Sequence, residues 1–120
     1  MSANDLARSP TYGTVPSLSR GMDESLVRAP AQLTAQHRRP FRDEALAALT
    51  RLEGATGGRL VIDLSDTVRV DSAGLGTLVV LQLRAAEHRH AVVLRGTCEE
   101  VRLLLLMTRL DDRFEIEPHP

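Results

Sequence analysis

The sequence has very few aromatic residues, a single cysteine and no lysine among its 120 residues. Its aromatic residues are Tyr12, Phe41 and Phe114, so the core of a domain of this length has to be built from Leu, Val, Ile and Ala. The single cysteine, Cys98, excludes an intramolecular disulfide and a zinc site made of cysteines alone. All fifteen basic residues are arginine, a bias that we attribute to genome composition rather than to function.

The sequence also lacks long apolar runs and has almost no net charge. No stretch reaches the roughly 18 uncharged apolar residues of a membrane span, and the N-terminus lacks the apolar centre of a secretory signal. The net charge of −1 gives no electrostatic reason to expect binding to nucleic acid or to an anionic membrane. We therefore expect a soluble, cytoplasmic protein that does not insert into a membrane.

The first 22 residues differ in composition from the rest of the chain. They are rich in Ser, Thr, Pro and Gly, and they have neither helical nor strand periodicity. We predict a flexible N-terminal tail over residues 1–22 and one domain over residues 23–120.

Strand patterns alternate with helical patterns through this domain. The segment 59–64 (RLVIDL) is nearly continuously apolar, as expected for a strand covered on both faces. The order β-β-α-β-α-β-α-β, with the first two strands as a short hairpin, predicts an α/β fold in which a mixed sheet of about four to five strands packs against helices. The predicted strands are at 25–28, 31–33, 59–64, 91–94 and 113–117, and the predicted helices are at 38–53, at 72–87 and from about 98 to 107.

The helix predicted at 72–87 has more apolar residues than one buried face can hold. On a helical wheel, Leu81 points away from the predicted core face and Leu78 lies at its flank. Exposed leucines at these positions would form part of a partner-binding patch. The alternative is a helix that is buried on both sides within the domain. The residues predicted to face the core are Leu75, Val79, Leu83 and Ala86.

The segment VDSAGLG (70–76) joins a predicted strand to this helix, and it leaves three interpretations open. Asp71 can be the N-cap of the helix, with Ser72 as an ordinary residue of the first turn. Ser72 can be a catalytic nucleophile, but the glycine usual two residues earlier is Val70 here, and no histidine has an evident partner acid. Ser72 can also be a phosphorylation site, because a helix N-terminus favours an anion.

Two stretches of the sequence carry a family resemblance. In RLVIDLSDTVRVDSAGLGTLVVLQLRA, a hydrophobic strand and a short loop lead into D-S-x-G-L-G and an apolar helix. The second stretch is EEVRLLLLMTRLDDRFEI, a helix followed by a strand. Over residues 25–117 the chain resembles a STAS domain of the bacterial anti-sigma factor antagonist type. It departs from the family pattern at Arg109, where glycine is usual, and at Pro120, where family members often continue into a further helix.

The resemblance implies a non-enzymatic, partner-switching regulator of sigma-factor-dependent transcription in the bacterial stress response. An anti-sigma factor with serine kinase activity would phosphorylate Ser72, and a PP2C-type phosphatase would restore it. The dephosphorylated chain would bind the kinase and so release the sigma factor. ATP and Mg²⁺ would belong to the kinase, so we expect no cofactor in this chain.

The resemblance also implies a partner-binding surface around Ser72. The predicted exposure of the helix adds Leu78 to this surface. The alternative function is a STAS accessory subunit of a lipid ABC transporter or of a stress-signalling complex, which would bind constitutively through the same surface. The implied partner-binding residues are Asp71, Ser72, Ala73, Gly74, Leu75 and Gly76.

Two further segments have simpler interpretations. In 87–90 (EHRH) two histidines lie close together without an identifiable third ligand, so we expect a solvated loop and no metal site. The apolar run 103–107 (LLLLM) is expected to belong mainly to the core, with a little exposed surface that leaves homodimer formation open.

Overall fold

The computed structural model describes residues 23–118 of the chain, and these residues form an α/β fold. The predicted fold class is confirmed, and the predicted tail at 1–22 lies outside the described residues. Among the helices of this part of the chain, none combines the length and the apolar character needed to cross a bilayer. The elements in chain order are β1 (Glu24–Arg28), β2 (Gln32–Leu33), α1 (Arg38–Arg51), β3 (Arg59–Asp63), β4 (Arg69–Val70), α2 (Ser72–Glu87), β5 (Ala91–Arg95), α3 (Glu99–Met107), a 3-10 turn (Asp111–Arg113) and β6 (Glu115–Ile116).

The described strands form two separate sheets. The main sheet has the order β1-β3-β5-β6, and each of its three pairings is parallel. In the second sheet β2 pairs with β4, also in parallel. Within residues 23–118 the sheet is therefore not mixed, and the prediction that the first two strands form a hairpin is wrong.

Pro30 explains why the first two strands separate. Up to Ala29 the chain follows β3, since the Ala29 N–H donates a hydrogen bond to the Asp63 carbonyl at 2.9 Å. Pro30 has no N–H with which to continue this ladder, and the chain turns away to place β2 beside β4. The β4 strand, which is only two residues long, was not predicted. The segment that leads into α2 is consequently bound to β2 rather than to the main sheet.

The core lies between the main sheet and the three helices, and it is almost entirely aliphatic, as the composition predicts. The structure has the helix predicted at 38–53 as α1, and its Phe41, Ala45 and Leu49 side chains are all buried. The sheet contributes every second side chain of its strands, which points toward the helices. The helices α2 and α3 contribute mainly leucine side chains. The sheet residues of this core are Val27, Leu60, Ile62, Val92 and Leu94, and those from α2 and α3 include Leu78, Leu81, Val101 and Leu105. Val61 and Val93 of the sheet are also buried but lie outside this cluster.

Arginine occupies the left-handed position at the ends of α2 and α3. Arg89 follows α2 and Arg109 follows α3, and each has a φ of 60°. After Arg109, the Leu110 N–H donates a hydrogen bond to the Leu105 carbonyl at 2.9 Å, which closes the last turn. Glycine usually makes this termination. The departure from the family pattern at Arg109 thus changes the residue type without changing how the helix ends.

Candidate functional site

Asp71 fixes the start of α2 to its surroundings. It is the N-cap of the helix, and its Oδ1 accepts a hydrogen bond from the Gly74 N–H at 2.9 Å. Its Oδ2 accepts a second hydrogen bond from the Ala35 N–H at 3.1 Å, in the loop between β2 and α1. The Asp71 N–H donates in turn to the Leu33 carbonyl at 3.3 Å. The N-cap interpretation is confirmed, and the same carboxylate also holds a loop that is distant in sequence.

These hydrogen bonds favour the ionised form of Asp71. The Gly74 N–H, and then the Ala35 N–H, lower the pKa of Asp71 from its ordinary value, and the nearby charge of Arg69 has a smaller effect in the same direction. A carboxylate therefore lies directly before Ser72 at neutral pH.

Ser72 is the first residue of α2, and its side chain is exposed. In the described part of the chain its hydroxyl has no hydrogen-bond partner. The hydrogen bonds near this turn join Asp71 to Ala35 and Gly74, and Thr77 to Ala73. The imidazoles of His37 and His90 are engaged elsewhere: His37 Nδ1 lies 3.0 Å from Thr34 Oγ1, and His90 Nδ1 accepts from the Gly58 N–H at 3.0 Å. Among residues 23–118, no general base is placed to activate Ser72 as a nucleophile. The geometry leaves a surface hydroxyl at a helix N-terminus.

The two glycines after Ser72 have different surroundings. Gly74 is buried, and a Cβ at this position would overlap the carbonyl group of Leu33. Glycine therefore allows α2 to approach β2 closely. Gly76 is exposed, and a Cβ there would meet nothing within 4 Å. Packing within the domain explains Gly74 but not Gly76.

The prediction of which side of α2 faces the core is wrong. Leu78 and Leu81, which were expected to be exposed, each have 0% of their surface exposed. Leu83 was expected to face the core, yet it is 50% exposed, and its neighbour along the surface, Val80, is 42% exposed. Leu78 therefore cannot contribute its side chain to a partner-binding surface.

A buried threonine explains this error. Thr77 is 1% exposed and belongs to the core side of α2. Its hydroxyl donates a hydrogen bond to the Ala73 carbonyl at 3.0 Å and accepts one from Arg38 Nη1 at 3.4 Å, so the polar group is satisfied inside the protein. Because Thr77 and Gly74 occupy the core side, assigning that side from apolar residues alone gave the wrong orientation.

The exposed side of α2 is an apolar stripe that begins at Ser72. Ser72, Gly76, Val80 and Leu83 follow one another at four-, four- and three-residue spacing, so they lie along one side of the helix. All four are exposed, and none is charged. We call these residues the α2 stripe. The hydroxyl of Ser72 thus lies at the N-terminal end of a neutral, apolar surface.

The predicted site residues differ in how far other proteins can reach them. Ser72 and Gly76 are exposed, whereas Leu78 is buried. The others serve mainly to hold the start of α2: Gly74 is buried, and the half-buried residues are Asp71, Ala73 and Leu75.

The residues that sequence reasoning missed are Leu33 and Ala35. Both contact the start of α2 through backbone groups, and Ala35 is 36 positions from Asp71. No local sequence signal identifies such contacts, since any residue type can supply a backbone N–H or carbonyl. Pro30, which separates β1 from β2, is the one available indication that this segment leaves the main sheet.

The prediction of a solvated loop at 87–90 is confirmed for the exposed turn residues His88 and Arg89 but is wrong for His90, which is buried. His90 is only 6% exposed, and its ring stacks against that of His88 with the centroids 6.2 Å apart. The buried ring accepts the Gly58 N–H and so helps to position the start of β3. Within residues 23–118 no group of three His, Cys, Asp or Glu side chains is arranged to hold a metal ion.

Comparison with known proteins gives one family match and several structural relatives. The family model described as "Mlab, STAS domain" matches residues 17–118. A proposed anti-sigma factor antagonist from Thermotoga maritima has a TM-score of 0.66 and 23% identity, over 78% of this chain and 80% of that one.

Two other solved structures have the same fold. An anti-sigma-factor antagonist (STAS) domain protein from Planctomyces limnophilus has a TM-score of 0.67 and 20% identity, over 79% of this chain and 82% of that one. A sulfate transporter family protein from Wolinella succinogenes has a TM-score of 0.59 and 11% identity, over 83% and 84%. At these identities the likeness concerns the fold alone.

Proposed function

The chain belongs to the STAS domain family, and on this basis we propose that it is a non-enzymatic anti-sigma factor antagonist that changes partners through phosphorylation of Ser72. The observation that carries the proposal is the exposed Ser72 hydroxyl at the end of the neutral α2 stripe. The similarity of fold to two proteins described as anti-sigma factor antagonists supports it.

In the dephosphorylated state, the α2 stripe is the docking surface for the anti-sigma factor. Val80 and Leu83 supply the apolar contact area. Gly76 lets the backbone of the partner approach α2 closely, which gives a use to a glycine that the fold itself does not require. Binding of this chain to the anti-sigma factor then releases the sigma factor.

Phosphorylation of Ser72 leaves the fold intact. The hydroxyl points to solvent, so a phosphate group needs no rearrangement of the core. The first N–H groups of a helix have no intrahelical acceptors, and the helix dipole favours an anion at this end. The hydrogen bonds that the Asp71 carboxylate accepts from the Gly74 and Ala35 N–H groups hold the helix start in place whether or not the phosphate is present.

The phosphate acts by making the docking surface charged. It adds about −1.5 to −2 charges beside the ionised Asp71 carboxylate. A partner that covers Ser72 must then remove this charge from water, and a penalty of about 3 kcal/mol already weakens binding by roughly a hundredfold. The modified chain therefore dissociates from the anti-sigma factor.

The remaining steps of the cycle belong to partner proteins. The anti-sigma factor is the serine kinase and supplies ATP and Mg²⁺, and a PP2C-type phosphatase removes the phosphate. This chain needs no cofactor of its own. The proposed setting is the cytoplasm of a bacterium responding to stress.

Two substitutions of Ser72 test this function. We expect Ser72→Ala to bind the anti-sigma kinase about as well as the wild-type chain, because the small side chain keeps the surface neutral. We expect Ser72→Asp to bind at least about tenfold more weakly, because a carboxylate has to be buried. Isothermal titration calorimetry with the kinase measures both affinities, and intact-mass analysis with kinase and ATP–Mg²⁺ locates the modification.

Thr50→Asp is the matched control, since it adds the same charge on an exposed part of α1. It should not change the affinity for the kinase. Equal affinities of Ser72→Ala and Ser72→Asp, or phosphate found only at another residue, would contradict the proposal.

The second candidate function is a STAS accessory subunit that binds its partner constitutively, as in a lipid ABC transporter or a stress-signalling complex. The Mlab description of the matching family model and the fold shared with a sulfate transporter family protein favour it. In this case the α2 stripe docks permanently, and Ser72 is a small residue that fits the interface. Co-purification with an ATP-binding transporter subunit, with Ser72 unmodified throughout growth, would distinguish this function from partner switching.

A further inference from the structure

A polar cavity opens beside the start of α2, between β4 and the loop that joins β2 to α1. Its volume is about 310 Å³. Because Asp71 lines it and directly precedes Ser72, the cavity adjoins the docking surface that the proposed function assigns to the anti-sigma factor. We call it the Arg69 cavity. The residues that line it are Gln32, Thr34, Ala35, Gln36, Arg69 and Asp71.

The second sheet directs Arg69 outward. In the parallel pairing of β2 with β4, Gln32 lies opposite Arg69 and Leu33 lies opposite Val70. Leu33 and Val70 pack in the core, and successive side chains of a strand point to opposite faces. Gln32 and Arg69 therefore face away from the core, and both are exposed. The sheet that holds the start of α2 thus also forms this cavity.

The guanidinium of Arg69 is the charged group of the cavity that is left without a partner. Within residues 23–118 it forms neither an ion pair nor a side-chain hydrogen bond. The Asp71 carboxylate, by contrast, already accepts the N–H groups of Gly74 and Ala35, one on each oxygen. A guanidinium has five N–H donors in a plane and can bind a carboxylate through two parallel hydrogen bonds. The cavity therefore suits an acidic side chain.

The start of α1 adds positive charge next to the cavity. Arg38 and Arg39 lie in the first turn of α1, two and three positions after Gln36 of the cavity lining. This turn has no acidic residue and no side-chain cap. Arg38 Nη1 donates a hydrogen bond to Thr77 Oγ1 at 3.4 Å, which places this guanidinium against α2. Arg39 is exposed and forms no ion pair within residues 23–118.

Contacts within the described part of the domain do not explain Arg39. The N-terminus of a helix carries a partial positive charge, which favours acidic residues there and disfavours basic ones. A second arginine in this turn therefore costs some stability in the isolated chain. An acidic partner would reverse this effect, because its carboxylates would meet Arg39, Arg69 and the helix N-terminus together. The charges beside Ser72 consequently fit an acidic protein segment.

We infer that the anti-sigma factor docks an acidic segment on this surface and places one carboxylate on Arg69 in the cavity. The inference rests on the proposed function, in which the same partner covers the α2 stripe. The stripe supplies apolar contact area, whereas Arg69 and Arg39 select a partner of complementary charge and speed up its association. Phosphorylation of Ser72 places a second anion next to the bound carboxylate, so repulsion between the two adds to the release of the partner.

Charge reversal at Arg69 tests this contact. We expect Arg69→Glu to bind the anti-sigma kinase at least about tenfold more weakly than the wild-type chain, and Arg69→Ala about threefold to tenfold more weakly. Isothermal titration calorimetry at about 50 mM and about 300 mM salt should show a smaller salt dependence for Arg69→Ala, because a charge pair has been lost. The matched control is Arg51→Glu, the same change at an exposed arginine in the last turn of α1, and its affinity should not change. Thermal unfolding checks that the variants remain folded.

Arg39→Glu separates a role in binding from a role in stability. It puts an acidic residue in the first turn of α1, so the midpoint of thermal unfolding should rise. The affinity for the kinase should nevertheless fall by about threefold to tenfold. A variant that bound more weakly only because the domain was less stable would have a lower midpoint instead.

The outcomes distinguish this inference from the proposed function. If Ser72→Asp binds more weakly than Ser72→Ala while Arg69→Glu binds as well as Arg51→Glu, the partner switch stands and the acidic contact is overturned. Tighter binding by Arg69→Glu would show that the partner is basic at this point, and unchanged binding by Arg39→Glu would remove the start of α1 from the contact; either result overturns the inference. If Ser72→Ala and Ser72→Asp bind equally well, the proposed function fails and the inference fails with it.

Discussion

At the scale of single residues, the two glycines of the D-S-x-G-L-G motif make different demands on the fold. We predict that Gly74→Ala destabilises the domain, because its methyl group would overlap the Leu33 carbonyl. We predict that Gly76→Ala stabilises it by about 1 kcal/mol or less, because alanine is the better helix former and the space around Gly76 is open. Urea unfolding of the two variants measures both effects.

Gly74→Ala and Gly76→Ala also distinguish an effect on stability from an effect on partner binding. Under the proposed function, Gly76→Ala should unfold at higher urea concentration and yet bind the anti-sigma kinase more weakly. Equal stabilities of Gly74→Ala and Gly76→Ala would show that the close contact with β2 is not rigid. Unchanged kinase binding by Gly76→Ala would remove Gly76 from the docking surface.

Asp71 gives the domain a pH dependence whose sign follows from its pKa. Because the pKa of Asp71 is lower in the folded state, its contribution to stability is present above the unfolded-state value of about 4 and is lost as the pH falls through the folded-state value. Asn at this position retains a capping oxygen but cannot ionise. We therefore predict that the stability difference between wild type and Asp71→Asn shrinks as the pH falls from about 6 to about 3.

Chemical denaturation at several pH values measures this difference. Asp66→Asn is the control, since Asp66 is exposed and takes no part in the hydrogen bonds of Asp71 at the start of α2. A constant difference between wild type and Asp71→Asn across this range would mean that the hydrogen bonds from Gly74 and Ala35 do not depend on the charge of Asp71.

The sequence identified the local part of this site but not the distant part. The N-cap at Asp71 and the exposure of Ser72 follow from the spacing between an acid, a small residue and an apolar helix. The contacts of Asp71 and Gly74 with Ala35 and Leu33 depend on how two segments about 40 positions apart meet, and backbone groups make those contacts.

At the scale of the element, α2 provides a direct test of its orientation. Leu81 is fully buried and Leu83 is half exposed, although they are only two positions apart. We predict that Leu81→Ala lowers the free energy of unfolding by about 2–5 kcal/mol, because it leaves a cavity in the core. Leu83→Ala should change it by no more than about 0.5 kcal/mol.

Thermal or urea unfolding compares the two variants. A larger loss of unfolding free energy in Leu83→Ala than in Leu81→Ala would show that the orientation described for α2 is wrong. The bounds of α2 were predicted correctly, because Asp71 begins it and a polar segment ends it. Its orientation was predicted wrongly, because apolar residues occur on every side of the helix and the core side includes a polar residue, the buried Thr77.

At the scale of the whole molecule, the order of elements was easier to predict than the pairing of the strands. Each helix and each strand of the main sheet has its own apolar pattern and breaking residues, such as Gly54 and Gly57 after α1. Strand pairing is a relation between distant segments. Only Pro30 indicated that β1 and β2 do not continue as neighbours, and the two-residue strand β4 is too short to have a pattern of its own.

The parallel pairing of the described strands has a consequence for how the protein matures. Parallel neighbours need a long crossover, so these strands cannot start folding from a local hairpin, and the chain must first close large loops. The pairing of β2 with β4 brackets α1 and β3 in the sequence, so the hydrogen bonds that hold the start of α2 depend on contacts between distant segments. Under the proposed function, a kinase that recognises this surface acts on the folded domain and not on a short linear peptide around Ser72, because segments distant in sequence build the surface.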